Sequence, residues 1–258
     1  MTPSATPLDT EACLDAIGRH SRGLADVARG HLDAPVEHCP GWTISDLVWH
    51  VAEVHWFWGT IAAERLDAPP DGSRRPSRPA DAELVEAFEA GAQRLVDVLR
   101  SADQDAGCWT WAPAQQDIGF ITRHQVQEAA VHHWDAANAA DQRLDIEPAV
   151  AADSVDEFLT FSVSSDADPA TASDDKPLPL PLNATFRLDA RDAGRAWTVS
   201  DGSTPSTVRV EPAATGDVAT LAATASDLLL WLYRRVDLDL GEVRPEVVER
   251  FRGLCFTD

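Results

Sequence analysis

Residues 123–139, RHQVQEAAVHHWDAANA, read as one helix with a metal-ligand pair built into it. Glu128 and His132 are four apart, so on an α-helix they lie one turn apart on the same face and can converge on a single ion. The third ligand has to come from elsewhere, and residues 46–55, DLVWHVAEVH, offer His50. At about 100° per residue, Leu47, Val51, Val54, Trp58 and Ile61 form one apolar stripe, with His50 at its edge. That edge is where an inward-pointing ligand of a helical bundle belongs. One carboxylate and two imidazoles suit Zn²⁺ or another divalent metal, and three protein ligands leave a position open for water or substrate. A lone Glu-x3-His is more often a solvated or hydrogen-bonded pair. It is the His on the inner edge of a second amphipathic helix that favours a metal site, since bundle cores are where such sites are built.

The helical reading extends over the first 150 residues. Leu14, Ile17, Leu24 and Val27 mark a helix that ends near Gly30. Pro40-Gly41 is a turn, and Thr43 with Asp46 three residues on resembles a capping box that opens the His50 helix. A third helix runs from about Asp81 to Ser101, with Leu84, Phe88, Leu95 and Leu99 at helical spacing. A long connection rich in tryptophan follows, and then the Glu128 helix. Four helices joined this way predict an antiparallel bundle. After a further helix from Ala149 to about Phe161, SSDADPATASDDKPLPLPLN reads as a linker. The segments ATFRLDA, AWTVSDG, STVRVEP and VATLAAT alternate as strands of a small antiparallel sheet. Ser226 or Asp227 is expected to cap the apolar helix that follows, and Pro245 opens a last one. The C-terminal part is thus a small α+β domain.

The 258 residues carry 21 Lys plus Arg against 43 Asp plus Glu, a formal charge of -22, and Lys176 is the only lysine. Such a charge argues against binding nucleic acid or an anionic membrane surface. An anionic substrate would have to be captured by local arginines or the metal. No signal-peptide pattern and no long apolar run is present, so the expected location is cytoplasmic. The cysteines Cys13, Cys39, Cys108 and Cys255 show no C-x-x-C spacing and read as free thiols. Cys39 and Cys108 fall in loops near the metal-bearing helices.

Three stretches, PGWTISDLVWHVAEV, CWTWAPAQQDIGFITRHQVQEAAVHHWDAANA and SDLLLWLYRR, resemble in that order the mycothiol-dependent maleylpyruvate isomerase family. The most specific pieces are E-x3-H-x-W-D-A at Glu128–Ala136 and W-x3-D-L-x2-H at Trp42–His50. The resemblance implies a DinB-like metal-binding bundle over residues 1–163, a linker over 164–183, and a small α+β domain over 184–258 that closes over the cleft. It implies zinc held by His50, Glu128 and His132, with the open position taken by the sulfur of the small thiol mycothiol. It also implies an arginine from the second domain, which falls on Arg235. The sequence departs from the family pattern at Arg234, where glycine is common, and at Gln127, where a histidine often precedes the ligand Glu.

The activity implied is a cis-trans isomerase or a thiol S-transferase acting on a small electrophilic acid. Metal favours the thiolate of a thiol whose pKa is otherwise about 8.5. In an isomerase that thiolate adds to the activated double bond, leaves a single bond free to rotate, and is expelled from the trans product. Arg235, with Arg123 and Arg234 as cosubstrate- or substrate-binding candidates, would pair with a carboxylate. The expected assembly is a monomer or weak homodimer. A non-catalytic metal- or ligand-binding protein of the same fold is the alternative. His55, His124 and His133 turn to other faces of their helices, and Asp135 is read as fixing a neighbouring backbone or His side chain.

Overall fold

Three helices of the computed structural model begin on an oxygen acceptor suited to orphan N–H groups. Asp9 accepts from the amide of Ala12 at 2.8 Å, and Asp117 from that of Phe120 at 2.8 Å. Thr43 and Asp46 form the full reciprocal box. Each such cap contributes about 1 kcal/mol by satisfying donors the helix itself cannot. The caps open α1 (Thr10–Ala28), α4 (Ile118–Ala139) and α2 (Ile44–Glu64) respectively, and α3 spans Asp81–Ser101. The structure describes residues 7–163, 180–204, 207–212 and 217–256. It divides into two compact units, one over Leu8–Ile146 and one whose body is Glu147–Asp258.

In the first unit α1 packs against α3 and α4, and α2 packs against the same two helices. The four-helix bundle expected from the sequence is therefore present, with the ring order α1, α3, α2, α4. Consecutive helices α1 and α2 face each other mainly across the diagonal. This arrangement makes α2 and α4, the two helices with ligand-type side chains, direct neighbours. Between the helices, Leu24, Leu47, Val51, Leu84, Phe88 and Ala136 are fully buried in one cluster. Full burial of a Leu, Val or Phe stabilises by roughly 1.5–3 kcal/mol, so these stripes and not the polar residues hold the bundle.

The approach to α2 is also fixed locally. Cys39 accepts from the Trp42 amide at 2.9 Å around Pro40 and Gly41, and Gly41 has φ +86°, so this is a turn of the type that places Pro second and Gly third. The long connection before α4 is held by Gln116, whose amide donates to the Thr110 carbonyl at 2.8 Å and the Ala112 carbonyl at 2.8 Å. Around it Trp58, Trp109, Trp111, Phe120 and His124 form an aromatic cluster.

The second unit contains α5 (Pro148–Phe161), β1 (Thr185–Ala190), β2 (Arg195–Asp201), β3 (Val208–Pro212), β4 (Thr220–Ala223), α6 (Ala225–Leu232) and α7 (Pro245–Arg252). The strand order is β3-β2-β1-β4. β1 pairs antiparallel with β2, Leu188 opposite Trp197, and β2 pairs antiparallel with β3. β4 lies parallel to β1, which corrects the expectation of a wholly antiparallel sheet. Alternation identifies a strand with one buried face but carries no information on the direction of its partner. Phe186, Leu188 and Ala190 supply the buried face of β1.

The helix after β4 is capped by Thr224, whose hydroxyl accepts from the Asp227 amide at 3.0 Å, and not by Ser226 or Asp227 as the sequence suggested. α5, placed at the end of the first domain by its helical pattern, packs on α6 within the second unit. Phe158 meets Tyr233 at 5.3 Å between ring centres, and Asp156 accepts from the Trp197 indole at 2.8 Å. The expected linker lies at 164–183, of which residues 164–179 fall outside the described residues.

Two expectations follow from strained or buried positions. Arg234 has φ +61°, a left-handed conformation that costs a non-glycine residue about 1–2 kcal/mol. Its side chain donates only to the Arg252 carbonyl, at 3.0 Å, among the contacts described. Arg234→Gly should therefore raise the unfolding free energy by about 1 kcal/mol in a urea titration. His55 is fully buried in the bundle, and burial pushes its imidazole down to about 4. The unfolded chain protonates this group near its ordinary 6.5 and the folded chain does not, so stability is complete above that pH and falls as pH drops from 6.5 toward 4. The loss from this group is about 3 kcal/mol at most. A His55→Leu protein should lack that share of the decline when urea midpoints are compared across the same window.

Candidate metal centre

His50 on α2 and Glu128 and His132 on α4 meet in the first unit. One ligand atom from each lies within 4.8 Å of the others. Tetrahedral zinc with bonds of about 2.1 Å requires about 3.4 Å between ligand atoms, so small side-chain adjustments close the set around an ion. Among the described residues this is the one group of three or more His, Cys, Asp and Glu side chains so arranged. The donor chemistry fits a divalent metal: two ring nitrogens and one carboxylate, the carboxylate almost wholly buried. The His132 Nε2 to Glu128 Oε2 distance is 3.7 Å, and the rings of His50 and His132 stand edge to face at 5.1 Å.

The surroundings orient these groups. His132 Nδ1 is 3.1 Å from Asp135 Oδ2, and Asp135 is buried. A proton on Nδ1, donated to that carboxylate, leaves the lone pair on Nε2 turned toward Glu128. A carboxylate behind a histidine sets its tautomer and the orientation of its ring. Asp135 therefore takes the supporting role that the sequence left open between a backbone and a His partner. The ring of Trp42 packs against His50 at 5.1 Å, with the Pro40-Gly41 turn holding that indole in place. Burial, followed by the neighbouring His132, pushes the His50 pKa down, while Glu128 and Glu53 pull the other way. The net direction keeps His50 neutral at pH 7, the form a metal binds. Glu53 itself is held by Arg75, with one guanidinium contact at 2.5 Å.

The remaining candidates fall elsewhere. His55 stacks on Phe88 at 5.6 Å, His124 stacks on Phe120 at 5.3 Å and contacts Gln127 at 3.0 Å, and His133 Nδ1 lies 3.1 Å from His20 Nδ1. None of the three belongs to the triad. Cys39 and Cys108 do not join it either; none of the four cysteines is in a disulfide, and burial raises the Cys108 thiol to about 11. Of the tryptophans, Trp58, Trp109 and Trp111 serve packing, whereas Trp49 and Trp56 line a cavity between α2 and α3. That cavity gave no signal in the sequence, because tryptophan at helical spacing looks the same in a core and on a pocket wall.

Arg123 sits on α4, half-buried, five positions before Glu128. Arg234 and Arg235 lie in the second unit just after α6, with Arg234 exposed and Arg235 half-buried. The Arg235 side chain donates to the Tyr233 carbonyl at 2.8 Å and lies 5.9 Å from the centre of the Tyr233 ring. The left-handed φ of Arg234 gives a physical reason for glycine at that position in the family pattern.

No curated protein sequence matches the chain. Two solved structures share its fold. The crystal structure of the mycothiol-dependent maleylpyruvate isomerase superposes with a TM-score of 0.57 at 16% identity, covering 92% of this chain and 95% of that one. A histidine-to-alanine mutant of the mycothiol-dependent maleylpyruvate isomerase gives 0.55 at 15% identity over the same shares. The model of the mycothiol maleylpyruvate isomerase N-terminal domain matches residues 13–137, which include α2, the connection before α4, and α4 as far as Ala137, with Glu128 and His132. Residues 13–137, with His50, Glu128 and His132 inside the matched span, are thus similar to the mycothiol maleylpyruvate isomerase N-terminal domain.

Proposed function

We propose that this protein is a zinc-dependent enzyme of the maleylpyruvate isomerase type that uses mycothiol as its thiol cosubstrate and acts on a small electrophilic acid. The observation that carries the proposal is the convergence of His50, Glu128 and His132 from two neighbouring helices, with Asp135 behind His132. Zinc bound there would favour the thiolate form of a thiol and polarise a carbonyl oxygen. The chain's own residues do the rest. Glu128 supplies the negative charge that offsets the cation, and the two imidazoles complete a neutralising but unsaturated ligand set. Asp135 holds the His132 ring so that its Nε2 lone pair is ready for the ion. Trp42 and the apolar stripe of α2 shield the His50 side from water, which strengthens every charge interaction at the site. Arg235, and with it Arg123 and Arg234, are the guanidinium groups assigned to carboxylate and cosubstrate recognition. No helix among the described residues is long and apolar enough to cross a membrane, and a cytoplasmic, thiol-rich compartment is the setting proposed for the reaction.

Metal content gives the first test. Alanine at His50, Glu128 or His132 should reduce zinc measured by plasma mass spectrometry from one equivalent to a small fraction, while His124→Ala should retain it. Asp135→Asn should keep the fold and weaken zinc binding by roughly 10–100-fold in a chelator competition. One equivalent of zinc in both His50→Ala and His132→Ala would refute the assignment. The second test concerns recognition. Arg235→Ala should bind zinc as the parent does yet lose most of its mycothiol-dependent turnover of a cis-enedioyl acid, with Arg235→Lys restoring little because an ammonium lacks the planar fork. Equal kcat/KM for Arg235→Ala and the parent would remove Arg235 from the site.

A further inference from the structure

The first unit contains a cavity that none of the three triad residues lines. It lies between α2 and α3, beside the 76–79 segment, and encloses about 410 Å³, within the size range of small-molecule sites. Its walls are mainly apolar and aromatic, including Trp49, Trp56, Phe88 and Leu95. Of its polar lining residues, His55, Thr60, Glu64, Ser77 and Arg94, only His55 is buried. His55 lines the cavity, is 1% exposed, and makes no hydrogen bond through either ring nitrogen among the described residues. Leaving a buried donor and acceptor unmade costs about 1–3 kcal/mol each, which is unusual at a position where leucine would pack. The ring lies nearly flat on Phe88, with 18° between planes, so its nitrogens project from the edge of the stack.

The chemistry of the occupant follows from these walls. Burial keeps His55 neutral at pH 7, and a neutral imidazole has one N–H donor and one lone pair. A hydroxyl both donates and accepts, and so matches either nitrogen. A carboxylate pushed to the depth of His55 would bring its charge into apolar surroundings, because the charged lining residues Glu64 and Arg94 are both solvent-exposed. Indole and phenyl walls favour a flat ring over a branched aliphatic chain. We propose that the α2/α3 cavity is a binding site for a small neutral phenol, seated among Trp49, Trp56 and Phe88 with its hydroxyl hydrogen-bonded to His55. The site is separate from the metal triad and does not depend on the function proposed for it.

Phenol and toluene, nearly equal in shape and different in the hydroxyl, are the probes. They are titrated into the full-length protein as purified, at pH 7.5, and followed by calorimetry and tryptophan fluorescence. The parent should bind one phenol saturably and toluene roughly tenfold more weakly, the factor expected for one neutral hydrogen bond. His55→Leu should erase that preference. Gly59→Leu offers a test that leaves His55 in place: a Cβ at Gly59 meets only Leu95 at ordinary contact distance, and the longer side chain fills the cavity. This variant should lose both ligands while keeping its zinc content and its circular dichroism. No saturable phenol binding up to the order of 10 mM would overturn the proposal, as would phenol binding that survives Gly59→Leu. Equal affinity for phenol and toluene in the parent would overturn the role of His55.

Discussion

A buried carboxylate in a helical bundle is the constraint around which the first unit is arranged. Glu128 is almost entirely removed from water, and taking a carboxylate out of water without a partner is costly. Two imidazoles stand close enough to share a cation with it, and a second buried carboxylate, Asp135, braces one of them. Apolar residues cannot replace any member singly without leaving its partners stranded. The polar set therefore behaves as a unit within a core otherwise held by leucine, valine and phenylalanine. It adds chemistry to the bundle at a cost the apolar stripes have to cover.

That division of labour explains why the bundle has such well-made ends. α2 enters from the turn at Pro40-Gly41, passes through the reciprocal cap of Thr43 and Asp46, and only then reaches His50, two turns in. α4 enters from a connection held by the amide of Gln116 and the cap of Asp117. Both devices set the axial position of their helix. A shift of one residue would rotate a ligand by about 100° around the helix and remove it from the site. Precision at this candidate metal centre is inherited from backbone hydrogen bonds some distance away.

Much of this was legible in the sequence because it is local. The cap at Thr43, the turn at Pro40-Gly41 and the pairing of Glu128 with His132 all depend on residues at most four apart. The contribution of His50 could be read from helical periodicity, and the family resemblance set it beside the α4 pair. What could not be read is non-local. Whether α5 joins the bundle or the sheet unit depends on Asp156 finding Trp197 and on Phe158 finding Tyr233, 41 and 75 positions away in the chain. The direction of β4 depends on which neighbour it pairs with, and alternation of side chains is the same in both cases. Thr224 took the cap from Ser226 and Asp227 because the helix starts one residue after it, a boundary that three capping-type residues within four positions leave ambiguous.

The ring order of the bundle has a consequence for how the molecule is made. His50 and Glu128 are separated by 78 positions, and all of α3 lies in the interval. Bringing them together closes a long loop, and that entropy has to be spent before the pair can meet. During synthesis, α1, α2 and α3 emerge before α4, so only one member of the triad, His50, is present until the last helix docks. A metal bound by such a triad would mark a chain whose first unit has finished folding, and it could not serve as the nucleus from which the folding starts.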